Sequence, residues 1–154
     1  MGKYFSVSAV LALLFLCSSA SAEPAIFKKE RISRVIDGDT FVLDSGEHVR
    51  LIGINTREYE PWKNFVQPCG REARDFAKKL LTGKTVSLER DEEPKDKYGR
   101  TLAYAYLEDG RMVNEILARE GYAEARVYKP NVRYREIFKT AAQEAKKNKA
   151  GCIE

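Results

Sequence analysis

Short apolar runs and longer amphipathic stretches take turns along the chain. Ile32 to Ile36, Thr40 to Leu43 and Val49 to Ile54 are rich in β-branched and aromatic residues, and the turn sequences Asp37-Gly38-Asp39 and Asp44-Ser45-Gly46 part them. They predict a three-stranded meander. From Gly70 to Leu81 the apolar residues Ala73, Phe76, Ala77 and Leu80 recur with the helical period, and Thr82-Gly83 ends the pattern, so a helix is predicted there. Thr85 to Glu89 and Leu102 to Leu107 predict two further strands on either side of a charged loop, Arg90 to Arg100. A second helix is predicted over Val113 to Glu120, closed by Gly121, and a third over about Tyr134 to Asn148, with Phe138, Ala141, Ala142 and Ala145 on its buried face. Thr56 to Pro68 obeys neither period and reads as an exposed loop.

Five strands, one helix after the third and two more helices at the end make a mixed α+β chain. That order suits a five-stranded barrel of the oligonucleotide-binding type, an OB-fold with three helices, in which closure protects the sheet edges. Ahead of it, residues 1–22 carry Lys3, an apolar run from Val7 to Leu16 and the small residues Ala20-Ser21-Ala22, the pattern of a cleaved secretory signal. The alternative, an uncleaved anchor, needs about 20 apolar residues, and this run falls well short of that. Lipid attachment at Cys17 would need a small residue where Leu16 stands. The expected product is one domain over residues 23–154, secreted or periplasmic, monomeric and without stable membrane association.

Composition narrows the classes further. With 44% apolar and 32% charged residues among 154, the chain is neither disordered, collagen-like nor a membrane-spanning domain. The net charge is +4, and Lys3 is the one charged residue in the leader, so the mature domain keeps a modest basic bias. Basic residues crowd the last part, from Arg126 to Lys149, whereas Glu89, Asp91, Glu92 and Glu93 read as an acidic patch. After cleavage only Cys69 and Cys152 remain. In an oxidising compartment a pair so far apart reads as a bridge rather than a metal site, with two free thiols as the alternative.

The chemistry available is restricted. His48 is the single histidine, so paired histidines or a Ser-His-Asp triad are hard to build, and two cysteines make no tetrahedral thiolate zinc site. Hydrolysis would have to rely on carboxylates, arginines and a hard cation. Asp37 and Asp39 flank Gly38 at a strand end, where carboxylates can converge on a cation, although Asp-Gly-Asp alone is more often a plain turn. Arg50 stands between Val49 and Leu51, as a half-exposed strand residue or an anion clamp. Asn55-Thr56-Arg57-Glu58 offers side-chain oxygens and backbone carbonyls at the next strand end. Asp96-Lys97-Tyr98-Gly99-Arg100 sets two cations about an aromatic ring, a composition suited to phosphate and base contact.

Taken together, Val35-Ile36-Asp37-Gly38-Asp39-Thr40, Arg50-Leu51-Ile52-Gly53-Ile54-Asn55-Thr56 with Glu58, Asp96 to Arg100 followed by Leu102-Ala103-Tyr104, and Val127-Tyr128-Lys129-Pro130-Asn131 resemble the staphylococcal nuclease (thermonuclease) family in the same order. The likeness runs from about Arg31 to Lys149. It implies an OB-type barrel with three helices and a Ca²⁺-dependent phosphodiesterase acting on DNA and RNA, releasing fragments with a 3′-phosphate. By position, it makes Asp39, Asn55 and the Thr56 carbonyl ligands of Ca²⁺, with Asp37 supporting them from behind. Glu58 would orient or deprotonate the attacking water. Arg50 and Arg100 would grip the scissile phosphate, and Lys97, Tyr98 and Tyr128 the neighbouring phosphate, sugar and base. The two ends carrying Cys69 and Cys152 lie near each other in that fold.

Three positions depart from the family pattern. Asn55 stands where aspartate is usual, which removes a negative charge and is expected to loosen Ca²⁺ or change the favoured cation. Arg57 replaces a proline, and Arg126 replaces a tyrosine over the nucleotide, offering a phosphate contact instead of a stacking face. The alternative to an enzyme is a catalytically silent OB-fold module that only holds nucleic acid.

Overall fold

The computed structural model describes residues 25–152, so the expected leader lies outside the described residues. In chain order the elements are β1 (Ile26–Asp37), β2 (Thr40–Leu43), β3 (His48–Leu51), β4 (Ile54–Thr56), β5 (Tyr59–Glu60), a 3₁₀ turn (Pro61–Lys63), β6 (Phe65–Val66), α1 (Gly70–Leu81), β7 (Thr85–Glu89), β8 (Thr101–Tyr106), α2 (Val113–Arg119), β9 (Ala123–Ala125) and α3 (Arg135–Lys147). The three helices fall where the apolar period puts them. Among the described residues, no helix is long and apolar enough to cross a membrane.

Five strands form one sheet in the order β1-β2-β3-β8-β7, and β7 pairs back onto β1, so the ring of hydrogen bonds closes. The first strand does this by serving twice. Its N-terminal half, Ile26 to Arg31, runs antiparallel to β7, and its C-terminal half, Ile32 to Asp37, pairs with β2 through two irregularities that bend it. The first half is invisible to a hydrophobic pattern because Lys28, Lys29, Glu30 and Arg31 crowd it. Only β3 and β8 run parallel, joined through the long excursion that contains α1 and β7.

The run Val49 to Ile54 is not one strand. It breaks at Ile52-Gly53, where Gly53 has φ +78°, and a Cβ there would sit 2.4 Å from the Phe138 ring. The freed backbone groups are taken up by tertiary partners, as buried amides require. Asn114 of α2 donates to Ile52 O at 2.8 Å and accepts from Ala105 N at 3.0 Å, and Arg126 N donates to Gly53 O at 2.9 Å. Beyond the break, β4 leaves the main sheet and pairs with β9, a three-residue strand too short to show a period. The expected loop Thr56 to Pro68 also contains structure, the β5–β6 hairpin.

Ile32, Phe41, Leu51, Leu88 and Tyr104 fill the barrel, and Leu117 and Phe138 bring α2 and α3 against it, all fully or almost fully buried. The expected acidic patch is only half a patch. Glu89 is 1% exposed and accepts from the Tyr106 hydroxyl at 2.5 Å, from the Tyr134 hydroxyl at 3.0 Å and from Arg133. Asp91 accepts from Tyr104 Oη at 2.7 Å and Arg133 N at 3.0 Å. Burial beside these carboxylates pushes both tyrosine hydroxyls, Tyr104 and Tyr106, far up. A buried carboxylate without such partners would be costly, so Arg133 and the tyrosines are what permit these acids inside.

Candidate active site

Three chain segments meet at one end of the closed sheet. The Asp37-Gly38-Asp39 turn between β1 and β2 lies against Thr56 so closely that a Cβ on Gly38 would be 2.6 Å from the threonine methyl carbon. That contact brings Asp39 to the end of β4. Asp39, 4% exposed, accepts from Thr56 N at 2.8 Å and from the Thr40 hydroxyl at 3.0 Å, and pairs with Arg50 Nη2 at 3.0 Å.

Arg50, on β3, is wired across the strand break. Nη1 donates to Leu51 O at 2.7 Å and Ile54 O at 3.0 Å, and Nη2 donates to Asn55 Oδ1 at 3.0 Å. The broken strand thus creates the carbonyls that lock the guanidinium. Asn55 Nδ2 in turn donates to Thr56 O at 3.1 Å. Arg100 is held differently. Asp96 receives Arg100 Nε at 2.7 Å and the backbone amides of Tyr98 and Arg100 at 2.9 and 3.0 Å, which closes the loop ahead of β8. Among the described residues neither Arg100 Nη atom has an acceptor, so its two-pronged end is open for an anion.

The cleft between these segments has a volume of about 590 Å³. Asp37, Asp39, Arg50, Asn55 and Glu58 line it together with Lys97, Tyr98, Arg100, Arg126 and Tyr128. Tyr98 and Tyr128 are 72% and 64% exposed. Lys97 Nζ and the Arg100 guanidinium lie 5.0 and 5.5 Å from the Tyr98 ring centre. Thr56 alone of the expected site residues is not in the lining, being 2% exposed with its carbonyl facing Asn55. Cys69 and Cys152 form a disulfide away from the cleft, with Cα atoms 5.5 Å apart. His48 is exposed on β3.

The carboxylates crowd one another. Burial, and then the charges of Asp39 and Glu58, push the Asp37 carboxyl up to about 7. Among the described residues no three His, Cys, Asp or Glu side chains group at ligand distance. The oxygen donors here are of three kinds, the Asp39 carboxylate, the Asn55 amide and the Thr56 carbonyl, and the Asp37 carboxyl accepts from the Thr56 hydroxyl at 3.4 Å. That set fits a hard divalent cation and offers nothing to a soft one.

Several supporting residues escape a sequence reading. Gln67 accepts from Glu58 N through its side chain at 2.9 Å and donates its own amide to Glu58 O at 3.0 Å. Gly70 opens α1 directly beneath, and a Cβ on it would be 2.3 Å from Glu58 O. Asn131 binds both N and O of Glu93, at 2.8 and 3.0 Å, and so ties the loop after β9 to the loop before β8. Glu124 meets Arg57 at 2.7 Å and Arg126 at 3.6 Å. Only Asp96 had a local signal, an aspartate three residues before a glycine at a turn. The others act through neighbours distant in sequence.

Comparison with known proteins agrees with this arrangement. Residues 48–152 match the family model described as staphylococcal nuclease homologue. The thermonuclease of Staphylococcus intermedius is 51% identical over 119 residues, covering 75% of this chain and 70% of that protein. The thermonuclease of Staphylococcus hyicus is 42% identical over 148 residues, covering 91% and 87%. Endonuclease YncB of Bacillus subtilis is also 42% identical, over 123 residues, covering 77% of this chain and 58% of that protein. The chain belongs to the staphylococcal nuclease homologue family.

Proposed function

We propose that the protein is an exported, Ca²⁺-dependent nuclease that hydrolyses phosphodiester bonds of DNA and RNA with little sequence preference and leaves 3′-phosphate ends. One observation carries this reading: Arg50, Arg100, Glu58 and Asp39, drawn from separate segments, line a single cleft. The closed five-stranded sheet with its three helices supports an OB-type barrel. The Cys69–Cys152 disulfide supports an oxidising compartment, and the pattern of residues 1–22 supports a cleaved leader as the route there.

Hydrolysis of a phosphodiester builds negative charge on phosphorus-bound oxygens as a fifth oxygen joins. Arg100, anchored by Asp96 through Nε, has both Nη groups free for that charge, whereas Arg50 already donates through Nη1 and Nη2 to Leu51 O, Ile54 O and Asn55 Oδ1 and pairs with Asp39, so it meets the phosphate by exchanging some of those bonds. Both act through charge and hydrogen bonding, not as proton donors. Glu58 lines the same cleft as the acceptor that orients or deprotonates water. Asp39, Asn55 and the Thr56 carbonyl would hold Ca²⁺, with Asp37 behind them. When bound, the cation supplies charge neutralisation and a water of lowered pKa. Lys97, Tyr98 and Tyr128 hold the flanking phosphate, sugar and base.

The test is cleavage of single-stranded DNA by metal-stripped mature protein, with Ca²⁺ or with chelator. Fragments only in the Ca²⁺ tube are expected, and Arg100→Ala should lower the rate by about 10²-fold or more. Equal or absent cleavage in both tubes refutes the reading. Salt-sensitive binding without fragments would point instead to a silent binding module.

A further inference from the structure

Among the described residues seven large hydrophobic side chains are exposed; Ile26 and Ile137 stand apart, and the other five gather about the cleft and one hairpin. Two, Tyr98 and Tyr128, flank the cleft, and three more, Trp62, Phe65 and Val66, sit within five residues on the β5–β6 hairpin at 64%, 46% and 50% exposure. This hairpin is an outgrowth of the cleft wall, because its first strand starts at the residue after Glu58 and its base is closed by the reciprocal Glu58–Gln67 hydrogen bonds. It is also firmly rooted. Arg74 of α1 lies over the Tyr59 ring at 5.1 Å while donating to Ile36 O at 3.0 Å, and the disulfide at Cys69 holds the returning chain. A rooted hairpin that keeps an indole and a phenyl ring in water at its tip does not serve the core.

We propose that the hairpin is a stacking platform for single-stranded nucleic acid leaving the cleft, with Trp62 and Phe65 each receiving a base. This rests on the nuclease reading for the direction of the strand. Trp62 lies four positions beyond Glu58, two along β5 and two into the 3₁₀ turn, a reach of at most about 11 Å, or about three stacked nucleotide steps. Base faces stack on aromatic rings without regard to sequence, which suits a strand that the cleft itself holds by its phosphates. Charge follows the same path. Lys63 lies between Trp62 and Phe65 in sequence, and Arg57 and Arg71 lie on either side of the hairpin along the chain, each paired only at the surface, with Glu60, Glu124 and Asp75 respectively. Such exposed pairs are worth about 1 kcal/mol or less, so phosphates can take over the cations.

Trp62 is the one tryptophan of the chain, which makes it its own reporter. The oxidised mature protein, in chelator so that nothing is cut, is titrated with oligothymidylates of about 4 and about 16 nucleotides, the span of single-strand site sizes on one OB-type fold. The longer strand should quench Trp62 emission, and the shorter one, filled by the cleft alone, should quench it far less. With cation restored, Trp62→Ala and Phe65→Ala should each raise KM about tenfold on the longer strand, so that its KM advantage over the shorter one shrinks by that factor. Neither side chain belongs to the buried core, so folding is retained. Ile137→Ala, an exposed apolar change on α3, is the control and should shift neither reading.

If the longer strand cuts normally yet Trp62 emission stays flat and both variants keep their KM, the platform is wrong and the nuclease stands. If no cation supports cleavage while the longer strand still quenches, the platform stands and the nuclease reading falls. Emission that instead responds only to protein concentration, or only to vesicles of phosphatidylglycerol, would assign the hairpin to a second copy or a lipid surface and overturn the proposal.

Discussion

Replacing Gly70 with alanine tests how Glu58 is positioned. The added methyl carbon would stand 2.3 Å from the Glu58 carbonyl oxygen and 3.1 Å from that of Arg57, where ordinary contact begins at 3.4 Å. Both obstacles are backbone, so no side-chain rotation relieves them. Either the Glu58 peptide or the first turn of α1 must move by about 1 Å, and the helix start is restrained by the Cys69–Cys152 bond next to it. A displacement of about 1 Å in a group that orients a reactant can cost about 10²-fold in rate, or about 2.7 kcal/mol of barrier. Stability should change less. Alanine gains up to about 1 kcal/mol over glycine in a helix, and the overlap costs about 1–3 kcal/mol, leaving a net loss near 1 kcal/mol. The assay pairs initial rates on single-stranded DNA with urea denaturation of the same preparation. A folded Gly70→Ala protein with the parent kcat would refute the claim that the start of α1 sets the position of Glu58.

Three further outcomes follow from the structure. Reducing the Cys69–Cys152 bond, or replacing both cysteines with alanine, should lower stability by up to about 4.5 kcal/mol, given its 83-residue separation, and an unmoved urea midpoint under reductant would contradict it. Arg133→Ala removes the cation from a carboxylate that is 1% exposed while leaving the Tyr106 and Tyr134 hydrogen bonds, so a loss near the lower end of about 3–5 kcal/mol is expected in chemical denaturation, and less than about 1 kcal/mol would mean Glu89 does not need it. Asn55→Asp places a further carboxylate near Asp37, Asp39 and Glu58; calorimetric titration should find tighter Ca²⁺ binding together with a lower melting temperature in chelator, and unchanged affinity would show that position 55 does not face the cation.

How far the sequence reached can be traced through particular elements. Helices α1 to α3 were legible because each buries one stripe, and a helical stripe repeats within a dozen residues of itself. The runs around Thr40, Val49, Thr85 and Leu102 were legible for a similar reason, since β-branched residues between turn sequences have few other uses. The candidate cleft residues could be named only through four ordered motifs taken together, because Asp-Gly-Asp or an arginine on a strand carries little meaning alone.

What the chain's letters could not decide was everything settled by a partner distant in sequence. The first half of β1 is charged and becomes a strand because β7 and β2 both need its backbone. The Ile52-Gly53 break exists because Asn114 and Arg126 donate to the carbonyls it frees and Phe138 leaves no room for a side chain, and beyond that break lie carbonyls that lock Arg50. Glu89 and Asp91 read as solvent-facing charge until Arg133 and the tyrosines arrive to satisfy them. The support of Glu58 by Gln67 and Gly70, and the aromatic tip that grows from it, likewise depend on close approach in space. Local pattern records which face a residue buries, whereas the identity of the atoms it meets there is fixed only when the sheet closes.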